Sequence, residues 1–356
     1  MATDRPRASG RDAIVPLNAD LRGRLAAMPF ALGGAPLGNL FSAVTDADAI
    51  ATIDRAYARG VRYFDTAPHY GHGLSERRFG TALRGIPRAS YVLSTKVGRV
   101  LRPDAAVPAV QHGYVDGLPY AQSFDYTAAG FARALDDSSD RLGTDFVDIV
   151  YVHDLDRATH GAGFAAHFGA LLDSGVPALA GLKAAGRIGA WGIGVNGVDI
   201  SLDTLRRADP DVILLAGRYT LADQTALPLL LPECRRRAVA VVLGGPFNSG
   251  ILATGARPAD GTAPYFDYAP AHREVVARVA AIERVAAAFG VPLRAAALQF
   301  PRAEPAVAIV LAGARTPAEL DDNLAMLAHP IPLEFWAQLR LRGLLPAEAL
   351  MPGAAA

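Results

Sequence analysis

The sequence predicts a single (β/α)8 barrel, an α/β fold of eight parallel strands, and three observations carry that prediction. Eight short apolar segments alternate with segments of helical spacing over about three hundred residues from residue 28. Most are nearly unbroken Val, Ile and Leu runs, VDIVYVH (147–153) and AVAIVLAG (306–313) among them, as strands covered on both faces require. Polar and ionisable residues collect at the far ends of these runs, where α/β sheets bind their ligands. A doubly wound open sheet is the runner-up, but it wants a glycine-rich dinucleotide turn after its first strand. LGGAPLGN (32–39) lacks the GxGxxG spacing. No solenoid or propeller period is visible.

The elements follow in order. MPFALGG (28–34) is the first strand, and residues 46–59 form a helix that Thr45 or Asp46 can cap. VRYF (61–64) is the second strand; it runs into a polar burst, Asp65 to Gly73, before LSERRFGTALRG returns to helical spacing. YVLSTK (91–96) is the third strand, and residues 98–126 form a loop too long to be idle in a compact domain. A helix over 127–142 leads to strand four, VDIVYVH; a loop over 154–169 and a helix over 175–186 follow. IGAWGIGVN (188–196), DVILLAGRY (211–219) and AVAVVLGGP (238–246) are strands five to seven, with helices near 202–208 and 221–237 between them. A second long loop spans 247–270, helices fall near 271–289 and 293–300, and AVAIVLAG is strand eight. Thr316 and Pro317 then open a last helix as N-cap and first helical residue.

The totals agree. With 356 residues, 51% of them hydrophobic, the chain can bury one large core. Lys plus Arg, at 35, balances Asp plus Glu, at 35, which favours neither nucleic acid nor an anionic membrane as partner. The one cysteine, Cys234, excludes an internal disulfide, and no metal-ligand spacing occurs. No apolar run is long enough to span a membrane, and MATDRPRASGRDA lacks an apolar signal core, so a cytoplasmic protein is expected. Residues 1–15 are expected to be a mobile tail and 16–350 the barrel.

In a barrel the strand ends share one rim. Strand two ends on Asp65 with Tyr70 just beyond, strand three on Lys96, strand four on His153 and strand five on Asn196. Each alone has a duller role: a helix cap, a solvated charge, a core histidine. Together they suit proton transfer by tyrosine. A free phenol, with a pKa of ~10, is a poor base near neutrality. A neighbouring ammonium stabilises the tyrosinate, a carboxylate fixes the ammonium, and a neutral imidazole orients the reacting oxygen. Such a phenol accepts a proton from a carbinol as hydride leaves its carbon, or donates one to a carbonyl in reverse.

VRYFDTAPHYGHGLSE resembles the strand-two signature DTAxxYGxxxSE of the aldo-keto reductase family, and lysine, histidine and GVN follow on strands three, four and five in the family's order. The resemblance covers nearly the whole ordered chain. It implies a tetrad of Asp65, Tyr70, Lys96 and His153 with Tyr70 as acid/base, and an NAD or NADP cofactor whose carboxamide Asn196 holds. By the same likeness Gly34 and Ala35 border the cofactor, with Gly244 and Pro246 at the end of strand seven and Asn248 and Gly250 beyond it. GARTPAELDDN (313–323) is similar to the adenosine-binding segment, which assigns Gly313, Arg315, Glu319, Asp322 and Asn323 to the cofactor. Glu319 favours NAD, because a carboxylate repels a 2′-phosphate and accepts from a free ribose hydroxyl, whereas Arg315 pulls toward NADP.

APLGN (35–39), LAGRYTLADQ (215–224) and GGPFNSGIL (244–252) look like a branch of sugar dehydrogenases acting on L-fucose or D-threo-aldoses, and pyridoxal 4-dehydrogenases share much of this pattern. The implied reaction oxidises the anomeric carbon of an aldose to the lactone. Pyridoxal oxidation, NADPH-dependent reduction of aldehydes or ketones, and a non-enzymatic cofactor-sensing subunit are the alternatives. His69, Asp154, Tyr120 and Phe247 are substrate-binding candidates by position, together with Tyr114 and Phe124. Two family contacts are missing: the tyrosine that stacks on the nicotinamide aligns with Gly244, and a strand-six glutamine aligns with Ala216. Tyr219 is the candidate substitute, with a packing aromatic as the alternative role.

Overall fold

Eight parallel strands close on one another in the order β1-β8-β7-β6-β5-β4-β3-β2, so no sheet edge is left open. They are β1 (Ala31–Gly33), β2 (Tyr63–Asp65), β3 (Val92–Val97), β4 (Val147–His153), β5 (Ile188–Val195), β6 (Val212–Ala216), β7 (Ala240–Gly244) and β8 (Val307–Gly313). The computed structural model describes residues 21–353, and the tail expected over 1–15 lies outside the described residues. Among those described, no helix is long and apolar enough to cross a membrane.

Side chains alternate across each strand, which sorts the core into two layers. Ala31, Tyr63, Val92, Ile149, Tyr151, Val242 and Leu311 fill the barrel interior, closed below by Leu21 and Leu25 of a short helix, Leu21–Ala26. A larger cluster packs the strands' outer faces against the helices, with Phe64, Phe131, Ile193, Leu215 and Val310 among its members.

The register makes a staircase of the inward positions. Asp65 pairs with Ser94, Lys96 with Tyr151, and His153 with Gly194. Each next strand from β2 to β5 therefore puts its last inward residue two positions further along. The strand-end residues Asp65, Lys96, His153 and Asn196 mount one wall of the mouth in succession.

The long loops carry more structure than expected. Within 98–126, Arg99–Pro103 pairs antiparallel with Tyr120–Phe124, and Val110–Gln111 with Tyr114–Val115. Within 247–270 lie a helical turn, Ile251–Thr254, and a ladder of Tyr265–Phe266 with Ala269–Pro270. The helix expected over 221–237 is only Leu230–Arg237. The Thr220 and Asp223 side chains accept from the backbone N–H groups of Asp223 and Thr225, forming turns that compete with a helix. The helix expected from residue 175 begins earlier, running from Phe164 through a π turn at Leu171–Gly175 to Ala184. Helices Leu21–Ala26 and Leu333–Leu341 were not foreseen.

Candidate active site

The loop after β2 is bolted to its neighbours by the residues that follow it. Ser75 donates to the Gly34 carbonyl and accepts from Thr66, each at 2.8 Å. Glu76, fully buried, accepts from Thr95 and Arg141, each at 2.6 Å. Arg78 donates to the Leu37 and Val44 carbonyls at 2.7 Å, to Asn39 at 2.9 Å and to Asp46 at 2.8 Å. Gly71, at φ +64, meets Gly38 so closely that a Cβ would stand 2.4 Å from the Gly38 oxygen. Only glycine allows that approach. These ties seat Tyr70 against the loop after β1.

The four strand-end groups come together on the rim. Lys96 Nζ donates to Asp65 Oδ2 at 2.7 Å and to the Thr66 carbonyl at 2.9 Å, and it lies 4.6 Å from the Tyr70 ring centroid. The His153 ring stands edge-on to Tyr70, centroids 5.9 Å apart, with Nδ1 buried and without a hydrogen-bond partner among the described residues. Burial pushes the Tyr70 phenol well above its ordinary value, helped by Asp65, Tyr114, Tyr268 and Asp154, so it rests protonated. Burial also raises the Asp65 carboxyl, against the pull of Lys96 and Ser94. Burial, then Lys96 and Arg99, hold His153 well below the usual imidazole value, so its ring is neutral.

Two hollows meet here. A cavity of about 440 Å3 has Tyr70, Lys96 and His153 on its walls, with His69, His112, Tyr114, Asp154 and Asn196. Beside it runs a groove floored by Gly33, Gly34, Gly244, Gly245, Gly250 and Gly313, with Asp65, Pro246, Phe247, Arg315 and Glu319 along it. Ala35, Tyr70, Leu214, Ala216 and Tyr268 belong to both. A Cβ added at Gly250 would meet nothing within 4 Å, so the backbone there faces open space. A long, glycine-floored trough ending beside a phenol fits a dinucleotide, whose pyrophosphate and flat ring both need close backbone approach.

The candidates divide. Gly34, Ala35, Gly244, Pro246, Gly250, Gly313, Arg315 and Glu319 line the groove, and Asn196 lines the cavity, donating to the Ala216 carbonyl at 3.2 Å. Asn248 does not line it. Its amide donates to the Gly217 carbonyl at 3.0 Å and its oxygen accepts from Thr220, so it braces the turn. Asp322 pairs with Arg294, and Asn323 donates to the Gly313 carbonyl at 3.2 Å; neither reaches the groove wall. His69 and Asp154 line the substrate cavity. Phe247 lines the groove instead, and Tyr120, on the outer hairpin, lines neither hollow. Phe124 is engaged with Arg99, at 4.5 Å, and with His160. Tyr219 is fully buried against Phe300, a packing residue and no substitute for the missing contacts.

Sequence reasoning missed Arg99, His112, Phe41 and Tyr268. Arg99 pairs with Asp154 at 2.7 Å and shares the Gln122 oxygen with His69. Tyr268 arrives on a two-residue turn in which Asp267 and Tyr268 both have positive φ, 53° and 64°. Asp267 pairs with Arg218 at 2.7 Å, and Arg218 donates to the Asn196 carbonyl at 2.9 Å. The Asp-Tyr turn has no glycine to announce it, so no local signal marked this residue.

A family model described as Aldo/keto reductase family matches residues 29–341. The chain is 42% identical over 324 residues to a pyridoxal 4-dehydrogenase from Microbacterium luteolum, covering 88% of this chain and 93% of that one. It is 38% identical over 320 residues to a D-threo-aldose 1-dehydrogenase from a Pseudomonas species, with the same coverage of 88% and 93%. Among solved structures, a glycerol dehydrogenase from Gluconobacter oxydans superposes with a TM-score of 0.68 at 22% identity, over 92% of this chain and 95% of that one. That last likeness is one of fold.

Proposed function

Because the chain belongs to the aldo/keto reductase family, we propose that it oxidises a cyclic hemiacetal to its lactone, with Tyr70 moving the proton. The protein is an NAD(P)-dependent oxidoreductase acting on CH–OH; the lactol, the residue roles and the preferred cofactor are our reading. The meeting of cavity and groove at Tyr70, with Lys96, Asp65 and His153 behind it, is the observation that carries it. Gly33, Gly34, Gly244, Gly250 and Gly313 would cradle the dinucleotide and Asn196 the carboxamide. Bound nicotinamide supplies the hydride acceptor.

The chain's own residues handle the proton. Tyr70 rests as a phenol and must ionise before it can accept from the anomeric hydroxyl. The Lys96 ammonium beside its ring stabilises the tyrosinate, and Asp65 holds that ammonium in place. Neutral His153, on the cavity wall beside Tyr70, orients the reacting oxygen.

An aldose is the first reading of the lactol, since Asp154, His112 and Thr159 place polar groups around the cavity for sugar hydroxyls. Pyridoxal is the second, favoured by the aromatic walls of Phe41, Tyr114 and Tyr268. The test is a scan of NAD+ and NADP+ against aldoses and pyridoxal, with the product identified as a lactone. Turnover only of added aldehydes with NADPH overturns the dehydrogenase reading. Cofactor binding without turnover of any of them points to the sensing subunit.

We read the cofactor as NAD. Arg315 is committed to Glu319: its Nε and a terminal nitrogen donate to one carboxylate oxygen at 3.0 and 2.8 Å, and its backbone N–H donates to the other at 2.9 Å. Burial raises the Glu319 carboxyl, but Arg315 outweighs it and holds the group below its usual value. A 2′-phosphate would meet a carboxylate and an arginine already paired. Glu319→Gln should raise the kcat/KM ratio of NADP+ to NAD+ about tenfold, or about 1.4 kcal/mol. An unchanged ratio removes Glu319 from cofactor choice.

A further inference from the structure

We propose that Ser94 is a positioning residue, the last rung of a hydrogen-bond ladder from Tyr151 and Tyr63 that keeps Asp65 an anion and thereby keeps Lys96 charged beside Tyr70. The proposal rests on the proton-transfer reading above and extends it three side chains down into the barrel.

Four oxygens stand in line inside the closed sheet. Tyr151 Oη lies 2.9 Å from Tyr63 Oη, Tyr63 Oη 3.1 Å from Ser94 Oγ, and Ser94 Oγ 2.6 Å from Asp65 Oδ1. The three contacts have three protons among them, and an ionised carboxylate has none to give. Asp65 must therefore accept from Ser94. That commits the only Ser94 proton, so Tyr63 must donate to Ser94 and Tyr151 to Tyr63. Every donor points toward Asp65. Burial holds both phenols far above their ordinary values, so neither can reverse the order by ionising. All four residues are essentially inaccessible and sit above the apolar side chains Val92 and Ile149.

A lysine–carboxylate pair in so dry a place has an alternative, in which the proton moves across and both groups become neutral. The ladder works against it by stabilising the carboxylate, and the Thr66 carbonyl does the same for the ammonium. Among the described residues, Lys96 forms an ion pair with Asp65 and with no other carboxylate. The ionisable groups facing Lys96 include Asp65 from β2, Tyr70 from the loop after it and neutral His153 from β4, while β5 presents Gly194 to its stem. Without Ser94, Asp65 loses its closest neutral donor and Tyr63 its acceptor. The ammonium should then surrender its proton more easily, and Tyr70 with it loses the cation that stabilises its anion.

Lysine is so scarce here that the prediction can be read directly. The chain has two, Lys96 and Lys183. Lys183 pairs with Asp211 at the other end of β6 and serves as an internal control. In full-length protein labelled with 13C-lysine, the side-chain NMR shift of Lys96 followed against pH reports its charge without substrate or cofactor. We expect the Lys96 titration in Ser94→Ala to fall by one pH unit or more, a tenfold change in its protonation equilibrium, while Lys183 is unmoved. Tyr151→Phe, which removes only the outermost donor, should shift it in the same direction by less, and it serves if Ser94→Ala fails to fold. Identical Lys96 titrations in wild type and variants overturn the ladder, whatever Tyr70→Phe does to turnover. A shifted Lys96 in an enzyme that still turns over without the Tyr70 hydroxyl keeps the ladder and removes the proton-transfer reading.

Discussion

Tyr70→Phe is expected to lower kcat by a factor of about 10² to 10⁴, the usual worth of a placed acid or base, and to leave cofactor affinity within about twofold. The substitution removes one oxygen and keeps the ring. The Lys96 contact with that ring and the packing of Tyr114 and His69 against it survive, so the loop after β2 should stay seated. Nothing nearby takes over the proton easily. His153 and His69 are held neutral well below their usual values, and the Tyr114 phenol, like Tyr70, is pushed well above its own by burial. The pH dependence follows from the same shift. Because the Tyr70 pKa is raised, its anion is scarce at neutrality, and the oxidation rate of the wild type should climb with pH. Reduction of an aldehyde, which needs the phenol, should hold toward lower pH. Steady-state rates in both directions across pH decide this. Undiminished oxidation by Tyr70→Phe returns Tyr70 to the status of a wall residue, and Tyr114→Phe would then be the next variant to measure.

The barrel and its rim groups were legible because both are written at short range. A parallel strand sheathed on both faces is a short apolar run, and its last inward residue is where that run turns polar. Asp65, Lys96, His153 and Asn196 all satisfy that rule, and the register then brings them to one wall. What was lost is what distant loops supply. Tyr268 reaches the junction of cavity and groove through a turn of two left-handed non-glycine residues, held by an ion pair to Arg218 forty-nine residues away. Arg99 meets Asp154 across fifty-five residues. Neither pairing leaves a periodicity. Asn248 and Asn323 show a second reason, since an asparagine serves the backbone as readily as a ligand, and here both side chains bond main-chain carbonyls.

The protein should lose stability steeply as pH falls from 7 toward 5, by about 3 kcal/mol or more over the full acid limb of one histidine alone. His72 is the clearest case. It is fully buried at φ +57, neither ring nitrogen has a partner among the described residues, and burial, then His112 and Arg99, depress it to about 4. The folded state thus refuses a proton that the unfolded chain binds at about 6.5, so stability is complete above that value and drains away down to about 4. That span of about 2.5 units is about 3 kcal/mol. His69, His112, His153 and His160 are depressed as well, each by burial first. Their contributions do not simply add, because the rings crowd one another: His69 lies 5.7 Å from both His112 and His153. Buried Asp65 and Asp148, whose values burial raises, act oppositely and soften the loss only at the acid end. Urea midpoints at pH 7, 6 and 5 should therefore fall in order. His72→Asn, a residue that tolerates positive φ and cannot titrate, should flatten the slope by up to one proton's worth, about 1.4 kcal/mol per unit. A flat wild-type series, or an unchanged slope in the variant, contradicts the assignment. The sensitivity and the chemistry have one origin: the enclosed, aromatic surroundings that hold Tyr70 protonated also deny these imidazoles their charge.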